Sequence, residues 1–434
     1  MRQLKYVVLA AVSIVACGRT GLLIDDLSAV DDGNNPHGHG VGKDDGGLAA
    51  DAADAGEDAL DPNGDPLTIG IGDTHVPNVQ QIVAGESHAC LRDKKSRVFC
   101  WGVNDDGQLG NGTTTLSFTA VRVQGLPEIV RLAAGQRHTC ALGADQSVWC
   151  WGSDGDGELG NGIRRPSFPT PQKVDGILTK SVAITAGGWH TCVLDEAGQM
   201  TCWGRNTSGE CGIDGADRFT TPAVVKAMPR GVLAMTSGTW HTCGILANRA
   251  VKCFGRNADG QLGIGAEGQF ESTPQDVRIL TDAAFLMAGD DHTCAVQTTG
   301  AMMCWGDGFL GELGNGIGQG NPAPTPVPDA FGAIHAAGGL EHTCAVMSDH
   351  STLCWGKGLQ GQLGNLDTPL LSKVPVAVVG IHDAVQVAAG SEFSCIAHAV
   401  RGAACWGASG NGELGHGEHD DELQTSPVEV LGLE

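Results

Sequence analysis

The sequence predicts an all-β fold: a seven-bladed β-propeller of four-stranded antiparallel blades, preceded by a disordered acidic linker. Three observations carry this prediction. A Gly-x-x-His-x-Cys motif recurs around His88, His138, His190, His241, His292 and His342, with Phe393 in a seventh copy. A Cys-Trp-Gly motif follows each one, at Cys100, Cys150, Cys202, Cys304, Cys354 and Cys405, varied only at Cys253-Phe254-Gly255. The period is about 51 residues, and a unit of that size buries its faces only against its neighbours.

Taken in order, residues 1–17 read as a secretory signal. Arg2 and Lys5 form a charged start, and Val7 to Ala16 an apolar run too short to span a bilayer. The closing Ile14-Val15-Ala16-Cys17 resembles the lipobox of bacterial lipoproteins, so Cys17 is the expected lipidation site; an ordinary signal peptide that happens to contain a cysteine is the alternative. Gly18 resembles the pattern of lipoproteins sent on to an outer membrane. The expected location is therefore the bacterial cell envelope, lipid-anchored, with two or more acyl chains sufficient for stable anchoring.

Residues 18–78 are rich in Asp, Gly and Ala and poor in large apolar side chains. Such a segment buries too little surface to offset its ordering entropy, and its like charges repel, so a disordered tether is expected. His37 and His39 lack a scaffold for metal binding.

The propeller is expected over residues 79–434. Each unit offers an apolar run into Ala-Gly (Val130 to Gly135), then His138 to Leu142, then Val148 to Gly152, a Gly-rich turn, and a run after a proline (Pro171 to Val174). Four short strands per unit fit a blade. The last unit ends with Ser426 to Leu431.

Sixteen cysteines resolve into seven pairs ten residues apart, plus Cys17 and Cys211. The pairs are Cys90 and Cys100, Cys140 and Cys150, Cys192 and Cys202, Cys243 and Cys253, Cys294 and Cys304, Cys344 and Cys354, and Cys395 and Cys405. If Gly143 to Ser147 is a hairpin loop, Cys140 faces Cys150, Leu142 faces Val148 and His138 faces Gly152 on one side of the ladder. Seven intrablade disulfides follow, and with them an oxidising compartment. The competing arrangement is a metal bound by His138, Cys140 and Cys150. Phe393 cannot ligate, which disfavours it, and no metal or other cofactor is expected. The facing residue is always glycine, as though the ring needs room there. Cys211 replaces a leucine and is expected to act as a small buried hydrophobe.

The composite Ala-Gly-x-x-His-Thr-Cys-Ala-Leu, Trp-Gly and Asn-x-x-Gly-Gln-Leu-Gly-x-Gly resembles the regulator of chromosome condensation repeat family. The matching residues include Asn104, Gly107, Gln108, Leu109, Gly110, Asn111 and Gly112, and Asn257, Gly260, Gln261, Leu262 and Gly263. The resemblance implies a seven-bladed propeller. The family's founder is a nuclear exchange factor that binds nucleosomes; a secretion signal and an acidic chain argue against carrying that over. Secreted bacterial relatives include a propeller that inhibits β-lactamases with one face.

Asp and Glu number 50 against 26 Lys and Arg, a net charge of -24. Nucleic acid and anionic membrane surfaces are thus poor partners for the domain. No catalytic residues are evident: there is no P-loop, and no recognised Ser, His and Asp set. The turns at Asn104 to Gly107 and Asp154 to Glu158 lack the span of a calcium loop. The His416 to Glu422 cluster reads as a solvated acidic loop.

What remains is the unrepeated residues. The Gly-x-x-His loop and the turn after Trp-Gly emerge on one face, which collects Trp189, Arg205, Trp240 and Arg256 with Arg137, Asp290, Asp291, Glu341 and Glu392. Exposed Trp and Arg are typical of binding hot spots. The face is expected to be basic and aromatic on one side and acidic on the other, unless the tryptophans tuck between blades. The expected function is a monomeric, non-enzymatic, lipid-anchored protein-binding module with an unknown protein partner. The alternatives are a propeller enzyme, hydrolase or lyase, with a site at the central channel, and a structural envelope component.

Overall fold

The computed structural model describes residues 79–433, apart from 164, 368, 420 and 421. The expected signal segment, Cys17 and the acidic tether lie outside the described residues. Blade 1 consists of β1 (Val79–Ala84), β2 (His88–Asp93), β3 (Val98–Gly102) and β4 (Ser117–Arg122), paired antiparallel in that order. Six further sheets repeat this order, with first strands starting at Ile129, Ser181, Val232, Ala283, Ala333 and Ala384. This is the predicted propeller. The first strands line the axis, and small residues such as Ala84, Ala134, Ala186, Ala288 and Ala389 bring them close together there.

Each blade comes from one contiguous stretch of chain. The outer strand of blade 7, Gln424–Glu429, pairs with that blade's own third strand, Ala403–Gly407, so no strand is lent across the closing junction. Closure uses backbone bonds instead. Gly417 N donates to Phe118 O at 2.8 Å, as Gly112 N donates to Pro169 O at 2.9 Å between blades 1 and 2.

The hairpin register is the expected one. His138 faces Gly152, Cys140 faces Cys150 and Leu142 faces Val148. All seven cysteine pairs are disulfides, with Cα atoms 4.1 Å apart in blades 1 to 6 and 4.0 Å in blade 7. The bridged sulfurs are therefore unavailable to the competing metal site. Closing so short a loop contributes about 3 kcal/mol per bridge on the chain-entropy model. The bridges sit in the cores between blades: Cys90 and Cys100 pack with Leu109, Ile129, Leu132 and Trp151.

Two local expectations need correction. The fourth strand of blade 2 runs Ser167–Lys173 and that of blade 7 Gln424–Glu429, both beginning before the predicted runs. The register jumps between Cys150↔Gln172 and Gly152↔Phe168, so extra residues bulge outward, and an edge strand tolerates the prolines there. The second correction concerns the facing glycine. Gly102 has a φ of +101°, and a side chain there would meet the Ser87 carbonyl, not the imidazole. The ring needs room elsewhere: His88 lies over Gly85, the first glycine of its own motif.

The histidines join the blades. His88 Nε2 lies 2.9 Å from Thr139 Oγ1 of the next blade, and that hydroxyl donates to Gln108 O at 3.0 Å. The hydroxyl must therefore accept from the ring, which fixes Nε2 as a protonated ring nitrogen. The same bond joins His138 to Thr191, His190 to Thr242, His241 to Thr293, His292 to Thr343 and His342 to Ser394. Burial lowers the six imidazoles to about 3 or 4, so all are neutral at pH 7. At the closing junction Phe393 packs with Ala89 in one apolar cluster.

Candidate interaction face

The two loops of each blade that reach the upper face are tied together by backbone bonds. Arg205 N donates to Trp189 O at 2.8 Å, Arg256 N to Trp240 O at 2.9 Å, and Lys357 N to Glu341 O at 2.8 Å. The same bond joins Val103 to Ser87, Ser153 to Arg137, Asp307 to Asp291 and Ala408 to Glu392. A rigid collar results, with one variable residue from each loop side by side. The sequence-predicted residues of this face do come together.

Trp189 and Trp240 are neither core residues nor free. Both are half-buried, with ring centroids 4.6 Å apart and planes tilted by 50°. The Arg205 guanidinium lies over both, 5.1 Å from the Trp189 centroid and 4.6 Å from that of Trp240. By contrast, the tryptophans of the Trp-Gly motif are the interblade wedges. Trp151, Trp203, Trp305, Trp355 and Trp406 are fully buried, each donating its indole N–H to a turn carbonyl of the preceding blade.

The charges are arranged differently from the expected split into a basic and an acidic half. Arg256 Nη1 reaches both Asp291 oxygens, at 3.1 and 2.9 Å, and its Nη2 lies 3.2 Å from Asp259. Lys357 lies 2.7 Å from Glu341 and 3.1 Å from Glu392. Arg137 is exposed, with Nε 2.8 Å from Asp106. The cations thus interleave with carboxylates, because side chains at the collar reach the next blade. Asp290 lines the channel mouth. Burial raises its carboxyl; burial and the neighbouring Asp290 raise Asp291 to about 7 against the pull of Arg256.

Inside the collar, the mouth is a cavity of about 120 Å³ edged by Gly85, Gly135, Gly187, Gly238, Gly289, Gly339 and Gly390. Gln136 donates to Thr239 Oγ1 at 3.3 Å, joining loops two blades apart. Below it, first-strand side chains cap the backbone of adjoining blades: Gln81 brackets Leu132 through both its amide atoms, and Gln386 accepts from Ile82 N. The Asn and Asp residues of the Gly-rich turns serve the turns themselves. Asn104 Oδ1 accepts from Leu109 N at 2.9 Å, and its Nδ2 donates to Thr113 and Thr115 carbonyls. Cys211 is fully buried, and burial pushes its thiol well up.

Sequence reasoning missed Asp259, Asp106 and Thr207, which hold the predicted cations Arg256, Arg137 and Arg205. One signal was available: each sits in the turn that follows Trp-Gly or Phe-Gly, within a few residues of the collar.

The fold and collar define the class of protein, a seven-bladed propeller of contiguous repeats with disulfide-stapled central hairpins. The RCC1-like domain matches residues 10–331, and the regulator of chromosome condensation (RCC1) repeat matches residues 349–397. The chain belongs to the RCC1-like propeller family. It is 29% identical over 166 residues to Protein pim1 of Schizosaccharomyces pombe, covering 34% of this chain and 30% of that one. It is 29% identical over 247 residues to the Ultraviolet-B receptor UVR8 of Arabidopsis thaliana, covering 56% of each. A match to the human probable E3 ubiquitin-protein ligase HERC4, 29% identical, covers 57% of this chain and 19% of that protein. The chain thus spans little more than half, at most, of these relatives. Among solved structures, Prp20p of Saccharomyces cerevisiae superposes with a TM-score of 0.66 at 22% identity, covering 73% of this chain and 81% of that one. Human WBSCR16 gives 0.69 at 20%, covering 77% and 94%. These likenesses concern the fold.

Proposed function

We propose that this chain is a lipid-anchored, extracytoplasmic propeller that binds a protein partner with its upper face and has no chemistry of its own. One observation carries the reading: Trp189, Trp240 and Arg205 form a half-exposed aromatic and cationic cluster on a rigid collar, away from the packing that holds the blades. Large amphipathic side chains held in place lose little entropy on binding, which is why Trp and Arg dominate hot spots. In this reading Arg137, Arg256, Asp290, Asp291 and Glu341 form the surrounding polar rim and set orientation. Prp20p, whose published structures address its binding to Gsp1p and histones and its complex with Kap60, is an example of a family propeller that binds proteins. Those partners are not carried over.

In this reading Cys17 carries the lipid, residues 18–78 are the tether and the partner resides in the bacterial envelope, and the net charge of -24 disfavours nucleic acid as a partner. The test is capture from detergent-solubilised envelope by the full chain and by the Trp189→Ala/Trp240→Ala variant. Capture should fall at least about ten-fold in the variant while its melting temperature moves by only a few degrees. Equal capture overturns the reading. Mass spectrometry of the mature N-terminus tests the anchor, and an unacylated terminus refutes it.

A further inference from the structure

Arg205 differs from every other cation of the collar. Arg256 is matched by Asp291 and Asp259, Lys357 by Glu341 and Glu392, and Arg137 by Asp106. Arg205 uses only its Nε, which donates to Thr207 Oγ1 at 2.8 Å; the nearest carboxylate oxygen, on Glu210, is 3.9 Å from the same atom. Its two terminal amino groups make no hydrogen bond among the described residues, and its side chain is 29% exposed. The guanidinium is nonetheless held in place, because both tryptophans lie beneath it. An oriented fork with open donors fits a planar, two-oxygen acceptor, and the aromatic rings around it favour apolar neighbours for that acceptor.

We infer that Arg205, presented on Trp189 and Trp240, receives an Asp or Glu side chain of the protein partner, flanked by apolar residues that pack on the tryptophans. This rests on the face being the binding surface. A polyanion is the wrong occupant. Asp290 lines the channel mouth beside this face, and the chain is strongly acidic, so each further negative charge brought within a screening length of roughly 8 Å is repelled. A single carboxylate gains the two-pronged bond with the least repulsion.

The experiment is calorimetric titration of the full chain with the blocked peptide acetyl-Gly-Phe-Glu-Phe-Gly-amide, its Gln and Lys counterparts, and the Gln peptide carrying a free C-terminal carboxylate. The Glu peptide should bind about ten-fold more tightly than the Gln and Lys peptides, a preference that Arg205→Met abolishes and Arg205→Lys reduces to a few-fold, with melting curves showing that both variants fold. Equal binding of Glu and Gln, no saturable Glu binding at millimolar peptide, or a preference that survives Arg205→Met overturns the inference. So does preference for the free-terminus peptide over the Glu peptide, which would assign the fork to a chain end. Envelope capture separates the two proposals. Loss in Trp189→Ala/Trp240→Ala but not in Arg205→Met leaves the binding face standing and removes the carboxylate; loss in neither removes both.

Discussion

Six of the seven blade junctions are locked by an imidazole on a hydroxyl, and the seventh, where the ring closes, by a phenyl ring beside a methyl group. The two solutions occupy the same space: Phe393 lies over Gly390 as His88 lies over Gly85. What differs is the pairing. Position 89 is Ala where the other six blades carry Thr139, Thr191, Thr242, Thr293, Thr343 or Ser394, so ring and partner change together across the closing junction. A buried polar pair is stable as a pair, and a matched apolar pair replaces it at little cost. Either half alone is the costly state.

That contrast can be broken most forcefully by Phe393→His. The new imidazole would face Ala89 with no acceptor for its N–H, and urea unfolding should show a loss of about 3 kcal/mol. Adding Ala89→Thr should recover most of it, since Glu413 O, which already takes the Trp101 indole N–H at 2.9 Å, stands where its counterparts also accept a hydroxyl. A double-mutant cycle with no coupling would show that the two positions are independent.

Next in size is Asp154→Asn, which compares copies within the Gly-rich turn. Asn104, Asn206 and Asn257 donate to loop carbonyls from this position, whereas Asp154 Oδ2 is buried without a partner among the described residues. Burial raises its carboxyl to about 7. A carboxyl raised in the fold favours folding less as pH climbs from about 4 to 7, so the substitution should stabilise the chain by about 1–3 kcal/mol at pH 8. The gain should fade toward pH 4, where Asp154 is protonated in both the folded and the unfolded chain. A gain independent of pH would refute the assignment.

The smallest effect is expected from His190→Phe, about 1–2 kcal/mol at pH 7, because Thr242 keeps its bond to Glu210 O at 3.0 Å. Its diagnostic is acid. His190 is lowered to about 3, so the stability it leaves intact above the unfolded pKa near 6.5 is lost as pH falls toward 3. Removing it should reduce proton uptake on unfolding by about one between those limits. Carboxyls raised to about 7, Asp291 and Glu312 among them, act with the opposite sign above pH 4 to 5, so the comparison must be made against the parent chain. An unchanged slope would mean that His190 is not held neutral.

The framework was legible because it is local. Seven copies of a ten-residue Cys spacing fix the hairpin register without any long-range knowledge, and the alternation along His138 to Leu142 places ring and sulfur on one side. The role of the histidine was half legible. Its burial follows from Phe393, but its hydroxyl partner lies some fifty residues away, where only the companion change at Ala89 hints at it. The collar's ion pairs were illegible. Arg256 meets Asp291 and Lys357 meets Glu392 across blade boundaries, and nothing in either local segment encodes the reach. Thus Trp189, Arg205 and Trp240 do meet, but the charges interleave instead of dividing into two halves, and Arg205 stands apart because the other cations are matched by carboxylates.

Because every blade is finished by its own stretch of chain, only the closing of the ring must wait for both ends. Each hairpin can oxidise as soon as its ten-residue loop has emerged, and each new unit docks on one already complete. The break between Glu429 and Val79 is then one of seven places at which the ring can begin, and a permuted chain opened between any two blades retains every sheet intact. For a chain built in order from such units, assembly becomes a matter of accretion, with the joining of first and last units as its single long-range event.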